Sequence, residues 1–449
     1  MNDAPPRWLA PGEPASIAQN LRARFSEEFG TDPEGIWFAP GRANLNGEHI
    51  DFHGGRCLPL ALPHGTYAAA RARNDGVLRV RTLEASLDQG VHEVTISAVG
   101  PADAEGQDQY PGWTRYVSGV LWALQRADDE DLRPDPQFGA DLLIRSTLPV
   151  GGGLSSSASL ECAAALAFVG LGSALGRDNP GTMLTDALTD AHRADVAAAC
   201  MRAEVEVVGA GTGGLDQTTS LRAAEGMLLS LDCRDFSLQR VAISFLLRGH
   251  RLIAVDTDTP HALSDGEFGS RRADSEAAAA VLGVERLRDA LSHRARRAEV
   301  DDVLARFDEL TAGQDQIQGR PVDGCRRRLK HALSEMVRSE KLNHHFTGEC
   351  HGVTQMAGEL GEVMTAGHSS MRSNAQVSFP LADSVVEAAL GAGAQGARLI
   401  GGGFGGSVLI MAPEAAVDKI TRSVGRLSRG IRFLEVTPSG PARALWPAT

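Results

Sequence analysis

The sequence lacks an excess of positive charge: 44 Lys and Arg stand against 57 Asp and Glu, a formal net charge of -13 with a pI near 5.5. A chain so charged is repelled by polyphosphate backbones and by anionic membrane surfaces, which argues against general nucleic-acid or membrane binding and leaves small molecules as the expected partners. Also missing is any uninterrupted apolar run of roughly 18 residues, and the opening MNDAPPRWLAPGEPAS has no apolar core of signal-peptide length. A protein neither exported nor membrane-spanning is expected. Cysteines are scattered at 57, 162, 200, 233, 325 and 350 with no CxxC pair. That argues against a disulfide framework or a structural zinc site, and fits free thiols in the cytoplasm. The P-loop pattern GxxxxGK[ST] is absent as well.

What is present is enough chain, 449 residues at 43% hydrophobic content, to bury a large core in two or three domains. Ile17, Leu21, Phe25 and Phe29 are four apart, which predicts an amphipathic helix over 15–30 ended by Gly30. From about 36 to 100, short β-rich stretches alternate with turn residues, as in an antiparallel sheet. The segments PADAEGQDQYPG and DEDLRPDPQF read as surface connections around a helix near Trp122. ADLLIRS reads as a strand, and a further helix is expected over 189–208. GMLLSLDC and RLIAVDT read as strands, and long helices follow between 268 and 365. The shift in composition places a boundary near 225, giving units 1–225 and 226–449, the second ending in a sheet with two flanking helices.

The sharpest chemistry lies in LPVGGGLSSSASLECAAALA, residues 148–167. Gly151, Gly152 and Gly153 permit a turn with positive φ and close approach to a ligand. Leu154, Ser155, Ser156 and Ser157 then open a helix whose free N–H groups attract anions. The bland alternative is a serine-capped helix after a glycine turn. A second glycine run, GGGFGG at 401–406, formally satisfies the dinucleotide fingerprint. It fails on context, because ARLI before it and SVLIM after it both read as strands where a helix is required. A dinucleotide-dependent oxidoreductase is excluded on that ground.

Together with APGRANLNGEHIDFHGGRCLPLAL at 39–62 and ARLIGGGFGGSVLIM at 397–411, the serine loop resembles the three-motif pattern of the GHMP kinases, and the first segment resembles galactokinase in particular. Gly41, Arg42, Asn44, Leu45, Gly47, Glu48, His49, Asp51, Gly54 and Gly55 are in step with the family pattern GRVNLIGEHTDYNGG. The resemblance also covers 200–217, 256–284 and 367–379, nearly the whole chain. It implies a two-domain α/β (α+β) fold with mixed sheets, packed helices and an active site in the interdomain cleft. It further implies ATP and Mg2+ used to phosphorylate D-galactose at its anomeric oxygen, giving galactose 1-phosphate.

Carried over residue by residue, the resemblance implies Asp216 as the catalytic carboxylate that accepts or orients the sugar proton. Arg42 is implied beside it, and residues 151–157 on the ATP phosphates. Ser157 and Glu204 correspond to the magnesium ligands, oxygen donors of the kind a hard cation prefers. Glu206, two residues on, points to another helical face and is expected to be solvated. Glu48, His49 and Asp51 correspond to the sugar contacts, two carboxylates and an imidazole suited to a ring of hydroxyls. GGGFGG is expected to bring its backbone near the phosphate loop and the sugar.

Some positions depart from the pattern. Phe268 stands where the family has a sugar-contacting tyrosine, and Ile50, Phe52 and His53 are expected to alter the pocket edge. Ser373 and Asn374 replace two acidic residues. A kinase for another galacto-configured sugar and a non-catalytic sugar-sensing regulator are the rival expectations, the intact serine loop weighing against the second. Oligomeric state is not readable from one chain, and a monomer is allowed.

Overall fold

Gly35–Asn46 is a strand buried along its whole length, because it lies inside a sheet whose two faces are both covered. A computed structural model describes residues 5–87, 90–104, 111–243, 248–259, 264–292, 295–347 and 353–446. The strand pairs antiparallel with Arg56–Arg73, an 18-residue strand far longer than the short stretches expected. Gly139–Ser146, Val77–Thr82 and His92–Thr95 continue the sheet, with one parallel pair, Val77–Thr82 on Gly139–Ser146. Met227–Asp232 pairs with the start of Arg56–Arg73 and carries Ser237–Ala242 beside it. The helix Pro14–Phe29, closed by a left-handed Gly30, forms where the periodicity predicts it, and Gly112–Leu124 is the helix expected near Trp122. Residues 105–110 of the loop PADAEGQDQYPG lie outside the described residues.

A second sheet runs in the order Trp8–Leu9, Arg432–Val436, His250–Asp256, Ser407–Pro413, Gly396–Ile400. Pro380–Ala392 and Val417–Gly425 flank it, as the sequence leads one to expect. The chain ends cross over: Trp8–Leu9 joins this second sheet, while Arg443–Trp446 returns to the edge of the first beside Gly35–Asn46. The helices Ser264–Leu282, Arg297–Leu310, Val322–Thr347 and Val353–Ser370 follow the strand His250–Asp256 in the chain, and Val322–Thr347 packs against each of the other three. Mixed sheets with packed helices are thus the architecture. Among the described residues no helix is long and apolar enough to cross a membrane. Cys57, Cys162, Cys200, Cys233 and Cys325 are free and buried; Cys350 lies outside the described residues.

Two features set where the side chains of the strand Gly35–Asn46 point. Its pairing with Arg56–Arg73 slips between Pro40 and Arg42 and again between Asn44 and Asn46, and such bulges re-aim side chains. Gly41 sits at the first slip, where a Cβ would meet the Leu154 carbonyl oxygen at 2.4 Å. The strand's end is then fixed by a fully buried ion pair. Arg398 donates to Glu335 Oε1 at 2.8 Å, to Asn46 Oδ1 at 2.9 Å and to the Leu45 carbonyl at 3.3 Å, while Glu335 Oε1 also accepts the Gly47 N–H. Burial alone would raise the Glu335 carboxyl, but Arg398 and Arg338 hold it well below the ordinary range. Glu335→Ala leaves the Arg398 guanidinium buried without its carboxylate and is expected to cost about 3–5 kcal/mol in chemical denaturation. A loss below about 1 kcal/mol would contradict this role.

Candidate active site

The phosphate loop follows Gly139–Ser146, and the helix Ser156–Gly172 begins at its second serine, as the sequence predicts. Gly151 and Gly153 take left-handed φ of 70° and 69°, which closes the turn. Ser155 is also left-handed, with φ of 61°, an uncommon conformation for a residue with a side chain. That conformation turns its hydroxyl away from capping the helix and toward Asp216 Oδ2, to which it donates at 2.5 Å. The sequence assigns Ser155 to the phosphates and gives no sign of this contact, which spans 61 residues of chain.

Asp216 opens the helix Leu215–Arg222. Arg42 Nε donates to its Oδ1 at 2.8 Å, and Arg42 Nη1 donates to the Gly153 carbonyl at 2.7 Å. Burial by itself would lower the Arg42 guanidinium, yet the carboxylates of Asp216 and Glu48 carry it above its ordinary value. Arg42, Asp216 and the phosphate loop therefore form one connected unit.

Around this unit lies a polar hollow of about 150 Å3 lined by Arg42, Glu48, His49, Asp51, Glu204, Asp216 and Phe268, with backbone from 211–213 and 401–402. Glu48 Oε2 accepts from Asn44 Nδ2 at 2.9 Å and Oε1 accepts the Gly401 N–H at 3.0 Å. Burial raises its carboxyl. His49 Nε2 lies 3.1 Å from the Gly402 carbonyl, and because a carbonyl only accepts, Nε2 carries the proton and Nδ1 is left as an acceptor. Burial, with His331 beside it, pushes the His49 imidazole down to about 3, so the ring is neutral. Asp51, pressed by burial and by the charges of Asp216 and Glu48, is raised to about 6. The Phe268 ring packs on His49 with centroids 5.1 Å apart and gives the hollow an apolar wall.

GGGFGG turns between the antiparallel strands Gly396–Ile400 and Ser407–Pro413. Gly401, with φ of 82°, approaches so closely that a Cβ there would meet the Gly153 carbonyl oxygen at 2.7 Å. Ser407 Oγ donates to the Gly152 carbonyl at 2.6 Å. The loop thus braces the phosphate turn on one side while Gly401 and Gly402 bind Glu48 and His49 on the other.

The expected rim residues behave differently. Ile50 is fully buried in a hydrophobic cluster, and His53 is buried with Nε2 2.7 Å from Ser275 Oγ. Neither lines the hollow. Phe52 only flanks it, edge-on to Phe268 at 6.3 Å. The substitutions at 50 and 53 are absorbed by the core rather than by the pocket edge.

Glu204 lies not in an ordinary helix but in the π-helical turn Ala203–Val208 that follows Asp190–Arg202, a distortion typical of functional positions. It is buried, while Glu206 is exposed and pairs with Arg202 at 2.9 Å, as its position predicts. Gln217 Nε2 donates to Glu204 Oε2 at 2.6 Å and to Glu161 Oε2 at 2.9 Å. Burial first, then Asp216, raises Glu204 to about 7; burial and Glu204 raise Glu161 well above the carboxylate range. Glu161 and Gln217 were not singled out in the sequence, although Gln217 adjoins Asp216 and Glu161 stands one helical turn after Ser157.

Ser157 does not line the hollow that contains Glu204. With Ser156 it faces a second, mostly apolar hollow of about 180 Å3, walled by Leu87, Trp113, Tyr116, Ile144 and Leu160. Gln217 joins Glu204 to Glu161, which stands on the same helix as Ser157 one turn further on. Four carboxylates, Glu48, Asp51, Glu204 and Asp216, face the polar hollow against the single guanidinium of Arg42. Among the described residues no three of these side chains converge on a metal site by themselves, so a divalent cation drawn by that charge would need further oxygen ligands from bound phosphate.

The galactokinase galactose-binding signature matches residues 23–72, and the N-terminal and C-terminal domains of GHMP kinases match 115–223 and 354–428. The galactokinase of Streptomyces coelicolor is 38% identical over 435 residues, 96% of this chain and 99% of that one. The galactokinase of Canis lupus familiaris is 30% identical over 416 residues, covering 92% and 93%. Among solved structures, Lactococcus lactis galactokinase complexed with galactose matches with a TM-score of 0.74 at 25% identity, covering 96% of this chain and 100% of that one. Methanococcus jannaschii mevalonate kinase shares the fold, with a TM-score of 0.54 at 15% identity over 91% and 98%. With relatives spanning almost the full length on both sides and a galactose-binding signature over the very strand that carries Arg42 and Glu48, the chain belongs to the galactokinase family of GHMP kinases.

Proposed function

We propose that the chain transfers the terminal phosphoryl group of ATP to the anomeric hydroxyl of D-galactose, giving galactose 1-phosphate and ADP. The observation that carries this is the convergence of Arg42, Asp216 and Ser155 where the phosphate loop meets the hollow of Glu48, His49 and Asp51. Relatives named galactokinase at nearly full coverage, and a neighbour complexed with galactose, support the same acceptor. All of these residues come from one chain, so a monomer suffices. Free buried thiols support a cytoplasmic setting. The division into units 1–225 and 226–449 is retained as a proposal, with each chain end lending a strand to the other unit's sheet.

In this reading the nucleoside occupies the apolar hollow of Trp113 and Tyr116. The phosphates then cross the mouth of the helix Ser156–Gly172, where residues 151–157 and the helix dipole receive them. Glu48, Asp51 and the free Nδ1 of His49 accept hydrogen bonds from the sugar hydroxyls. Each Asp216 oxygen already accepts one hydrogen bond and retains a second lone-pair direction for the anomeric hydroxyl. Asp216 orients that hydroxyl and takes its proton as the bond to phosphorus forms, while Arg42 balances the charge. Glu204 from the polar hollow and Ser157 from the helix mouth would hold Mg2+ once the phosphates lie between them, and the ion would supply charge neutralisation to the transferring group. Phe268 offers the sugar a ring face in place of a hydroxyl, which favours tolerance of galacto-configured relatives of galactose at that edge.

Three outcomes are expected. Asp216→Ala lowers kcat by about 10²–10⁴-fold while ATP still binds, as measured by ADP release and nucleotide titration; turnover near the starting level would sink the assignment. Glu204→Gln raises the Mg2+ concentration needed for half-maximal rate by at least about 10-fold, and an unchanged magnesium requirement would remove Glu204 from the metal site. Because the ionised Asp51 is the acceptor and its folded value is about 6, kcat/KM for galactose rises with pH through that value and then levels. A profile flat between roughly pH 5 and 7 would contradict this use of Asp51.

A further inference from the structure

A separate hollow of about 440 Å3, its floor mainly apolar and its rim set with exposed charged and hydroxyl side chains, opens among the helices Arg297–Leu310, Val322–Thr347 and Val353–Ser370 and the turn Met371–Ala375, and it shares no lining residue with either hollow of the active site. Its volume falls within the span of small-molecule sites, roughly 300–1,000 Å3. Arg297 and Lys330 line it, and neither makes an ion pair among the described residues. Asp301 supplies one carboxylate. Ser369 and Ser373 donate their protons to the carbonyls of Thr365 and Ser369 at 3.1 and 2.6 Å, so each turns lone pairs outward. Two cations without an ion pair among the described residues suit phosphate oxygens, while Asp301 and the serine lone pairs suit the hydroxyls of a polyol.

This hollow is joined to the sugar cradle by a hydrogen-bond chain of fixed direction. On its wall, Asn374 Nδ2 donates to Ser370 Oγ at 3.2 Å. Ser370 Oγ lies 3.0 Å from His331 Nδ1, and His331 Nε2 lies 3.1 Å from the Glu48 carbonyl. The carbonyl can only accept, so Nε2 carries the proton and the Ser370 hydroxyl donates to Nδ1. Burial holds the His331 ring neutral, pushed down to about 4, as a single-proton relay requires. A second link runs from Arg338, also on the wall, to Glu335 at 2.7 Å and on to the Gly47 N–H.

We propose that this hollow binds a sugar phosphate at a site distinct from the active site, and that Asn374, Ser370 and His331 transmit its occupancy to the turn carrying Glu48 and His49. A ligand oxygen that captures the Ser370 proton removes the donor His331 Nδ1 relies on, and one that captures the Asn374 amide withdraws the donor that orients the Ser370 hydroxyl; either loosens the hold of Nε2 on Glu48. The binding site stands apart from catalysis; its readout in turnover rests on the galactose assignment above.

Titration calorimetry on the full chain tests it, with galactose 1-phosphate as probe and the active site held by galactose and a non-hydrolysable ATP analogue. One further equivalent is expected to bind, weakened at least about 10-fold in Lys330→Ala and in Arg297→Ala, with inorganic phosphate alone at least about 10-fold weaker. In turnover the probe is expected to shift the galactose KM about fivefold beyond simple product competition, and the excess shift disappears in Lys330→Ala. No further equivalent, or one indifferent to both substitutions, overturns the site. Equal affinity for inorganic phosphate overturns the sugar-phosphate assignment, and binding without the excess KM shift overturns the relay. The two substitutions identify the equivalent whether or not the chain turns over galactose, so failure here is distinguishable from failure of the kinase reading.

Discussion

A guanidinium with only 7% of its side chain exposed must be paired, because an isolated buried charge costs several kcal/mol. Arg42 meets that demand with Asp216 and the Gly153 carbonyl, and in doing so it ties three segments together. The strand Gly35–Asn46 supplies the arginine, the phosphate loop supplies the carbonyl, and the helix Leu215–Arg222 supplies the carboxylate. Backbone contact reinforces the tie, since the Arg42 N–H donates to the Leu154 carbonyl at 3.2 Å over the bare Cα of Gly41. Misplacing any one segment would leave a buried charge unpaired, so the packing requirement coincides with the geometry proposed for phosphoryl transfer.

The same economy appears around Glu48. Glu48 is held by a neighbouring asparagine, by the GGGFGG backbone and, through its carbonyl, by His331. Glu335 and Arg398 anchor the two residues before it. What this rigidity leaves uncompensated is charge: Asp51, Glu204 and Glu161 are all raised, mainly by burial and then by one another or by Asp216. Unfavourable crowding of this kind is tolerated where ligands relieve it, and a cation with a hydrogen-bonding sugar would do so.

Much of the site was legible because local composition demands a particular backbone. Three glycines before three serines dictate a turn and a helix mouth, and GGGFGG flanked by apolar runs dictates a hairpin. The exposure of Glu206 followed from its offset along the helix. Contacts between distant segments carried no such signal. Ser155 reaching Asp216, and Gln217 joining Glu161 to Glu204, depend on how the helices Ser156–Gly172 and Leu215–Arg222 pack. Nor could a two-residue strand such as Trp8–Leu9 show a period, so the crossing of the chain ends was invisible. Ile50 and His53 misled for the same reason, since a motif position does not say which side of a turn a residue faces.

The central claim is that Asp216 and Arg42 aim the acceptor oxygen at a phosphate held over the helix mouth. A crystal structure of the chain with galactose and a non-hydrolysable ATP analogue measures this directly. The account predicts the anomeric oxygen within hydrogen-bond reach of Asp216 and about 3–3.5 Å from the terminal phosphorus, in line with the leaving oxygen. A sugar bound with its anomeric oxygen turned away from Asp216, or triphosphate lying away from residues 151–157, would contradict it.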